Sequence, residues 1–130
     1  MSITLVTLVV TDYDAAIAFF VGKLGWEVRQ DEPSVTTDGR DKRWVVVGPR
    51  GGGAGVLLAQ ADGPQQAARI GDQTGGRVGF FLETDDFWRD FRAFSDAGVE
   101  FVRDPKVEPY GTVAVFRDVA GNLWDLIERV

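Results

Sequence analysis

The chain contains two copies of one pattern, and this internal repeat limits the folds that are open to it. The segment TDYDAAIAFFVGKLGWEV begins at Thr11, and the segment TDDFWRDFRAFSDAGVEF begins at Thr84. Aligned without a gap at a spacing of 73 residues, they share a threonine, an aspartate, a glycine and a glutamate. Thr-Asp is a helix N-cap signal, and Gly25 and Gly98 are typical of a helix C-terminus. Each copy therefore predicts one helix between two strands.

Apolar segments around each helix predict four strands in each copy. The strands before the helices are ITLVTLVV from Ile3 and RVGFFLE from Arg77. Three β-branched or aromatic runs follow each helix and end at polar or glycine-rich turns, as strands do. They are Trp26–Gln30, Arg43–Gly48 and Gly55–Gln60 in the first copy, and Val99–Arg103, Thr112–Arg117 and Leu123–Glu128 in the second.

Both predicted helices carry an apolar stripe that should face a sheet. The first stripe consists of Ile17, Phe20, Val21 and Leu24, and the second of Phe87, Phe91 and Phe94. The stripes do not match fully in the ungapped alignment, because Ile17 falls opposite Asp90.

The 130 residues predict one α+β domain of two tandem βαβββ modules. We assign module one to residues 1–60, a polar, glycine-rich linker to residues 61–76 and module two to residues 77–130. The linker contains a predicted short helix near Pro64–Ile70, with proline in its first turn.

The composition excludes several kinds of chemistry. The chain has neither cysteine nor histidine, so disulfides, thiolate nucleophiles and Ser-His-Asp catalysis are excluded. The net charge of −6 argues against nucleic acid or an anionic membrane as a partner, because both require a basic surface. The N-terminal segment lacks the basic region of a signal peptide, and no apolar run is long enough to span a bilayer. We expect a cytoplasmic protein, since a cysteine-free chain fits a reducing compartment.

A second distinctive segment, VFRDVAGNLWDLIE, lies at the end of module two. In it, Asp118 can cap the amides of a turn, and Gly121 can adopt the positive φ that the turn needs. Together with the tandem modules and TDYDAAIAFFVGKLGWEV, this segment resembles the vicinal oxygen chelate superfamily, although Val119 replaces the usual proline. That superfamily includes glyoxalase I, extradiol dioxygenases, fosfomycin-resistance enzymes and bleomycin-binding proteins. The resemblance covers nearly the whole chain and implies a curved, half-open mixed sheet around a cleft.

The resemblance also implies four positions at which metal-dependent members carry ligands, on the first and last strand of each module. In this chain they are Leu5, Val56, Val78 and Asp125. One carboxylate among three aliphatic side chains does not bind a divalent ion, and a shift of one residue brings in no strong ligand. We therefore expect no metal and no cofactor.

Strand alternation then predicts an apolar cleft with few polar groups, of the kind that binds organic ligands. The predicted lining is Leu5, Thr7, Trp44, Val56, Leu58, Val78, Phe80, Leu82 and Asp125. Either Trp44 and Val46 or Val45 and Val47 face the cleft, and we favour the first pair. Asp125 is the candidate catalytic residue if the protein is an enzyme, since an acid among apolar walls tends to have a raised pKa. The alternative is a structural acid without a function.

Three functional hypotheses follow, and the first is preferred. It is a metal-free small-molecule binding protein of the glyoxalase/bleomycin-resistance type, which sequesters or carries an organic aromatic compound. The acidic net charge favours a cationic compound. The second hypothesis is a glyoxalase-like or dioxygenase-like lyase or oxidoreductase with a degenerate site around Asp125. The third is a subunit whose cleft serves only protein association. We lean towards a protein that is not an enzyme.

The resemblance generates a prediction about assembly, because an open module exposes apolar sheet that a partner must cover and similar proteins are usually dimers. We expect a homodimer with closed two-fold symmetry. Light scattering at micromolar concentration should give twice the chain mass of 14.3 kDa. A monomer mass would contradict this prediction.

Overall fold

The computed structural model describes all 130 residues and divides them into two compact units, Met1–Ala68 and Arg69–Val130. Unit 1 consists of β1 (Leu5–Val10), α1 (Tyr13–Gly22), β2 (Glu27–Val35), β3 (Asp41–Gly48), β4 (Gly55–Gln60) and α2 (Pro64–Ala67). Its four strands form one unclosed sheet in the order β1-β4-β3-β2. β1 and β4 are parallel, and the other neighbours are antiparallel.

Unit 2 repeats this arrangement. It consists of β5 (Val78–Glu83), α3 (Phe87–Asp96), β6 (Phe101–Glu108), β7 (Gly111–Arg117) and β8 (Leu123–Arg129). The sheet order is β5-β8-β7-β6, with the parallel pair again between the first and last strands. The predicted α+β class and the two tandem βαβββ modules are confirmed. No helix is long and apolar enough to cross a membrane.

An aspartate caps each of the two long helices. The carboxylate of Asp12 accepts a hydrogen bond from the Ala15 amide at 2.8 Å, and that of Asp86 accepts one from the Arg89 amide at 3.1 Å. Each bond satisfies an amide in the first turn that has no partner within the helix. The alignment paired Asp12 with Asp85, so the capping residue of α3 lies one position later than expected.

The extra residue that causes this shift lies in β5. The pairing of β5 with β8 changes register around Gly79, which forms a β-bulge, and a bulge inserts one residue into a strand. The helices are therefore related by 74 residues rather than 73. At this spacing Ile17 corresponds to Phe91, and Phe20 corresponds to Phe94, so the apolar stripes agree.

Each sheet buries one face against its long helix. In unit 1, Arg43 on β3 forms an ion pair with Asp14 of α1 and lies over the Tyr13 ring, which identifies the side of β3 that faces the helix. In unit 2, the Glu128 carboxylate accepts a hydrogen bond from the Phe87 amide of α3 at 2.7 Å. Buried residues on these helix sides include Leu8, Val45, Val47, Val56 and Leu58 in unit 1, and Ala114, Phe116, Trp124 and Leu126 in unit 2.

We call the opposite side of each sheet its open face. It carries Thr7, Trp44, Val46 and Leu57 in unit 1, and Phe81, Val115 and Asp125 in unit 2.

The turn between β7 and β8 is organised by one buried carboxylate. Oδ1 of Asp118 accepts hydrogen bonds from the amides of Ala120, Gly121 and Asn122 at 2.9–3.0 Å. Its Oδ2 accepts bonds from the side-chain amide of Asn122 at 3.3 Å and from the indole N–H of Trp124 at 2.9 Å. Gly121 has a φ of +101°. The predicted roles of Asp118 and Gly121 in this turn are confirmed.

Removing the Asp118 carboxylate should destabilise the fold strongly, because several donors would lose their acceptor inside the protein. We expect Asp118→Ala to lower the free energy of unfolding by roughly 2–5 kcal/mol. Chemical denaturation followed by tryptophan fluorescence measures this change. Asp96→Ala, at the exposed end of α3, is the matched control and should have little effect. Equal stability of Asp118→Ala and the wild type would contradict the assigned role.

Candidate ligand-binding site

Four side chains form one row across the open face of unit 2. Asp125 of β8 pairs with Phe81 of β5 on one side and with Val115 of β7 on the other. Val115 pairs in turn with Arg103 of β6. Directly paired residues of neighbouring strands project to the same face of a sheet. Across the strands β5, β8, β7 and β6 the row therefore contains an aromatic, an acidic, an aliphatic and a basic side chain.

Asp125 is the electrostatic centre of this row. Its side chain is half-buried, and no protein group donates a hydrogen bond to it or forms an ion pair with it. Burial raises the pKa of the Asp125 carboxyl above its ordinary value, while the positive charge of Arg103 opposes the rise. Asp125 thus offers a partly desolvated acceptor that the protein itself leaves unused.

The bulge in β5 changes which residues of this strand lie on the same side of the sheet as Asp125. Phe80 and Leu82 pair with helix-side residues of β8, and the ring of Phe80 stacks against a core tryptophan. The expectation that they share a face with Asp125 is wrong, because alternation counted from Val78 fails at the bulge. Phe81 takes their place and is 64% exposed. Val78 lies before the bulge and stays on the Asp125 side.

The register of β1 and β4 shows that the β4 residue on the open face of unit 1 lies one position later than predicted. Thr7 pairs with Leu57, whereas Leu58 pairs with a core leucine of β1 and is completely buried. Val56 and Leu58 therefore lie on the helix side, not on the face of Leu5 and Thr7 as expected. Leu57 occupies the position in unit 1 that Asp125 occupies in unit 2.

Trp44 lies on the open face of unit 1. Val46 pairs with Leu57, and Trp44 lies two residues before Val46 on the same strand, so all three share this face. The indole N–H of Trp44 donates a hydrogen bond to the side-chain oxygen of Gln30 at 2.9 Å. This bond fixes the orientation of a half-buried flat ring.

A cavity of about 420 Å³ lies beside this ring, within the size range of small-molecule sites. Leu57, Ala59 and Trp44 supply apolar wall. Arg40 and Asp62 lie at the polar part of the wall and are joined by two hydrogen bonds, at 3.1 and 2.7 Å. All residues that line the cavity belong to unit 1.

The residues at the implied metal positions do not fit a divalent ion. Asp125 is the one carboxylate among Leu5, Val56, Val78 and Asp125, and Leu57, which takes the place of Val56 on the open face of unit 1, adds no ligand. No group of three acidic side chains lies close enough together to hold a metal. A hard divalent cation requires several oxygen ligands, so we derive no chemistry through a metal.

Comparison with known proteins identifies the family. The profile described as the Glyoxalase/Bleomycin resistance protein/Dioxygenase superfamily matches residues 2–126. The chain belongs to this superfamily. A protein of Shewanella frigidimarina (strain NCIMB 400), named only as uncharacterized, is 52% identical over 128 residues, which cover 98% of this chain and 93% of that protein.

Two solved structures of similar proteins agree with this assignment. UcmS2 is 32% identical with a TM-score of 0.81, and the match covers 98% of this chain and 97% of UcmS2. TnmS3, described as an antibiotic binding protein from Streptomyces sp. CB03234, is 27% identical with a TM-score of 0.78, and the match covers 100% of this chain and 97% of TnmS3. The superfamily fold therefore extends over the whole chain.

Sequence reasoning missed Phe81, Arg103 and Leu57 as open-face residues. A signal for Phe81 was present, since a glycine inside a strand pattern such as RVGFFLE indicates a bulge. Aligning Val56 with Trp124 as a helix-side residue would have placed the next residue, Leu57, on the open face. Arg103 had no comparable signal, because β6 changes register between Phe101 and Arg103 without a glycine.

The raised pKa of Asp125 predicts a pH-dependent gain in stability for Asp125→Asn. The folded chain holds this proton more tightly than the unfolded chain, whose carboxyl has an ordinary pKa of 3.8. The stability that protonation contributes is present below that value and is lost as the pH rises through the folded pKa. Asp125→Asn should therefore be more stable than the wild type at pH 7, with a smaller gain at pH 4.

Thermal unfolding at both pH values measures this difference. Asp96→Asn removes an exposed carboxylate from α3 and should show no such pattern. A gain for Asp125→Asn that is the same at both pH values, or a loss at pH 7, would contradict the prediction.

Proposed function

We propose that this chain is a metal-free binding protein that sequesters or carries an organic aromatic compound with a positive charge. The observation that carries the proposal is the state of Asp125, a half-buried carboxylate with no hydrogen-bond donor or ion-pair partner in the protein. Partly buried charges in folded proteins are normally paired, because an unpaired one loses solvation without compensation. A cationic ligand would supply the missing partner.

The neighbours of Asp125 favour an aromatic or otherwise apolar cation. Phe81 presents a largely exposed ring beside the carboxylate, and Val115 on the other side is buried and offers no competing polar group. A cation gains energy both from the face of such a ring and from a nearby carboxylate in a partly desolvated setting. The net charge of −6 adds a general attraction for cations.

Similarity to a protein that binds an antibiotic supports the class of ligand. TnmS3 is described as an antibiotic binding protein, and its fold matches this chain over the full length. We infer that the ligand here is likewise an organic compound of the size and complexity of an antibiotic.

The cavity beside Trp44 supports a second, uncharged binding site, which lies within unit 1. Its apolar wall contains a flat indole ring that is held by Gln30, and a fixed ring is suited to stack on an aromatic group. We propose that Trp44 binds an aromatic group in this cavity whether or not the compound carries charge.

We place this function in the cytoplasm, which is supported by the lack of cysteine in the chain. We propose that the protein carries out this function as a homodimer. The ligand remains a small molecule, and neither nucleic acid nor a membrane is proposed as a partner.

The raised pKa of Asp125 favours one alternative, a lyase-like enzyme in which this residue donates a proton without a metal. Mass spectrometry of a compound after incubation with the protein separates the two functions. A binding protein returns the compound unchanged, whereas an enzyme returns it with an altered mass or structure.

Charge removal at Asp125 should weaken cationic ligands selectively. We expect Asp125→Asn to reduce the affinity for a cationic bleomycin-type compound by roughly 1–3 kcal/mol, as for the loss of a charge-assisted hydrogen bond. An uncharged aromatic analogue should bind the variant as it binds the wild type. Trp44→Ala should weaken both compounds. Calorimetric titration of the two compounds into the wild type and both variants measures these affinities.

Two controls accompany these titrations. Asp96→Asn should bind both compounds with wild-type affinity, and addition of a chelator should change nothing if no metal takes part. If Asp125→Asn binds the cation as tightly as the wild type does, Asp125 is a structural acid and the proposal is wrong.

A further inference from the structure

Arg103 shares with Asp125 the property of being unpaired. It is exposed on β6, and no carboxylate lies within ion-pair distance of its guanidinium. The arginines of β7 and β8 behave differently, since Arg117 pairs with Glu100 at 3.2 Å and Arg129 pairs with Glu83. The open face of unit 2 thus holds one free negative and one free positive group in the same row.

The strand between them keeps these two charges apart. Asp125 and Arg103 each pair with Val115, from opposite sides of β7. Neighbouring strands are about 4.8 Å apart, so the two backbones are separated by roughly 10 Å. No ion pair forms between Asp125 and the longer arginine, and a buried valine lies between them on β7. The row thus carries opposite charges on the two strands that flank a buried valine.

We propose that the open face of unit 2 selects amphoteric organic ligands, whose protonated amine binds Asp125 and whose acidic group binds Arg103. The apolar body of such a ligand spans the row between the two charges, and Phe81 contacts its amine end. This inference rests on the proposed function and extends it, because it specifies the class of compound.

The charge of Arg103 explains why an amphoteric ligand is favoured over a simple cation. The positive charge of Arg103 acts on the Asp125 carboxylate, so it also repels a cation that is bound there. An acidic group on the same ligand converts that repulsion into attraction. The planar fork of arginine also matches the geometry of a carboxylate, which a lysine at this place would not.

Three matched probes test the inference by NMR chemical-shift titration of the full chain. They are 4-(aminomethyl)benzoic acid, its methyl ester and 4-methylbenzoic acid, which are amphoteric, cationic and anionic around the same ring. The wild type should bind the amphoteric probe roughly fivefold more tightly than the ester, as expected for an ion pair with an exposed arginine. The anionic probe should bind more weakly than the amphoteric one.

Arg103→Gln should reduce the affinity for the amphoteric probe to that of the ester. Arg92→Gln removes an exposed arginine from α3 of the same unit and should leave the fivefold preference intact. Equal affinities of the acid and the ester in the wild type, or a preference that survives in Arg103→Gln, would overturn the inference while leaving the proposed function in place.

The proposed function fails in a different way. If the ester shifts no resonance of Phe81, Asp125 or Val115, or if Asp125→Asn binds it unchanged, then cation binding at Asp125 is wrong, and the inference is wrong with it.

Discussion

The Asp118 carboxylate is the interaction on which the open face of unit 2 depends. It holds three backbone amides of the turn and the indole N–H of Trp124, and so it fixes where β8 begins and which way its second residue points. Trp124 then packs inward among the rings of Phe80 and Phe116. Because successive strand residues project to opposite faces, Asp125 must point outward. The fully hydrogen-bonded carboxylate of Asp118 thus positions the carboxylate of Asp125, which has no hydrogen-bond donor in the protein.

Asp118 and Asp125 both lose solvation in the folded chain, but only Asp118 is compensated by hydrogen bonds. Asp118 is buried with every oxygen occupied by donors, which compensates its lost solvation. Asp125 loses part of its solvation and gains only the distant attraction of Arg103. Local destabilisation of this kind is common at sites that act on a ligand, where an interaction partner arrives from outside. The contrast supports a role for Asp125 that the fold alone does not require.

Features that depend on local chemistry followed from the sequence, except the cap of α3, which lies one residue later than the repeat predicted. The strands, the long helices, the Asp118 turn and the module repeat all follow from short patterns of turn residues and apolar alternation. It was harder to predict from the sequence which face of a sheet each strand residue occupies, because one extra residue moves every later side chain to the opposite face. The position of Leu57 depends on how β1 pairs with β4, and that of Phe81 on the bulge at Gly79, so both depend on contacts between distant parts of the chain.

The bulge at Gly79 also shows how a repeated module can change its chemistry without changing its core. Helix-side packing continues after the extra residue, since Phe80 and Leu82 face inward. On the open face, however, a phenylalanine replaces the threonine found at the corresponding place in unit 1. A side chain at residue 79 would lie 2.8 Å from the methyl group of Thr74, so Thr74 would have to move to make room for it. Insertion or deletion of a single strand residue is therefore a route by which duplicated modules can change what they recognise, independent of substitution at the contact residues themselves.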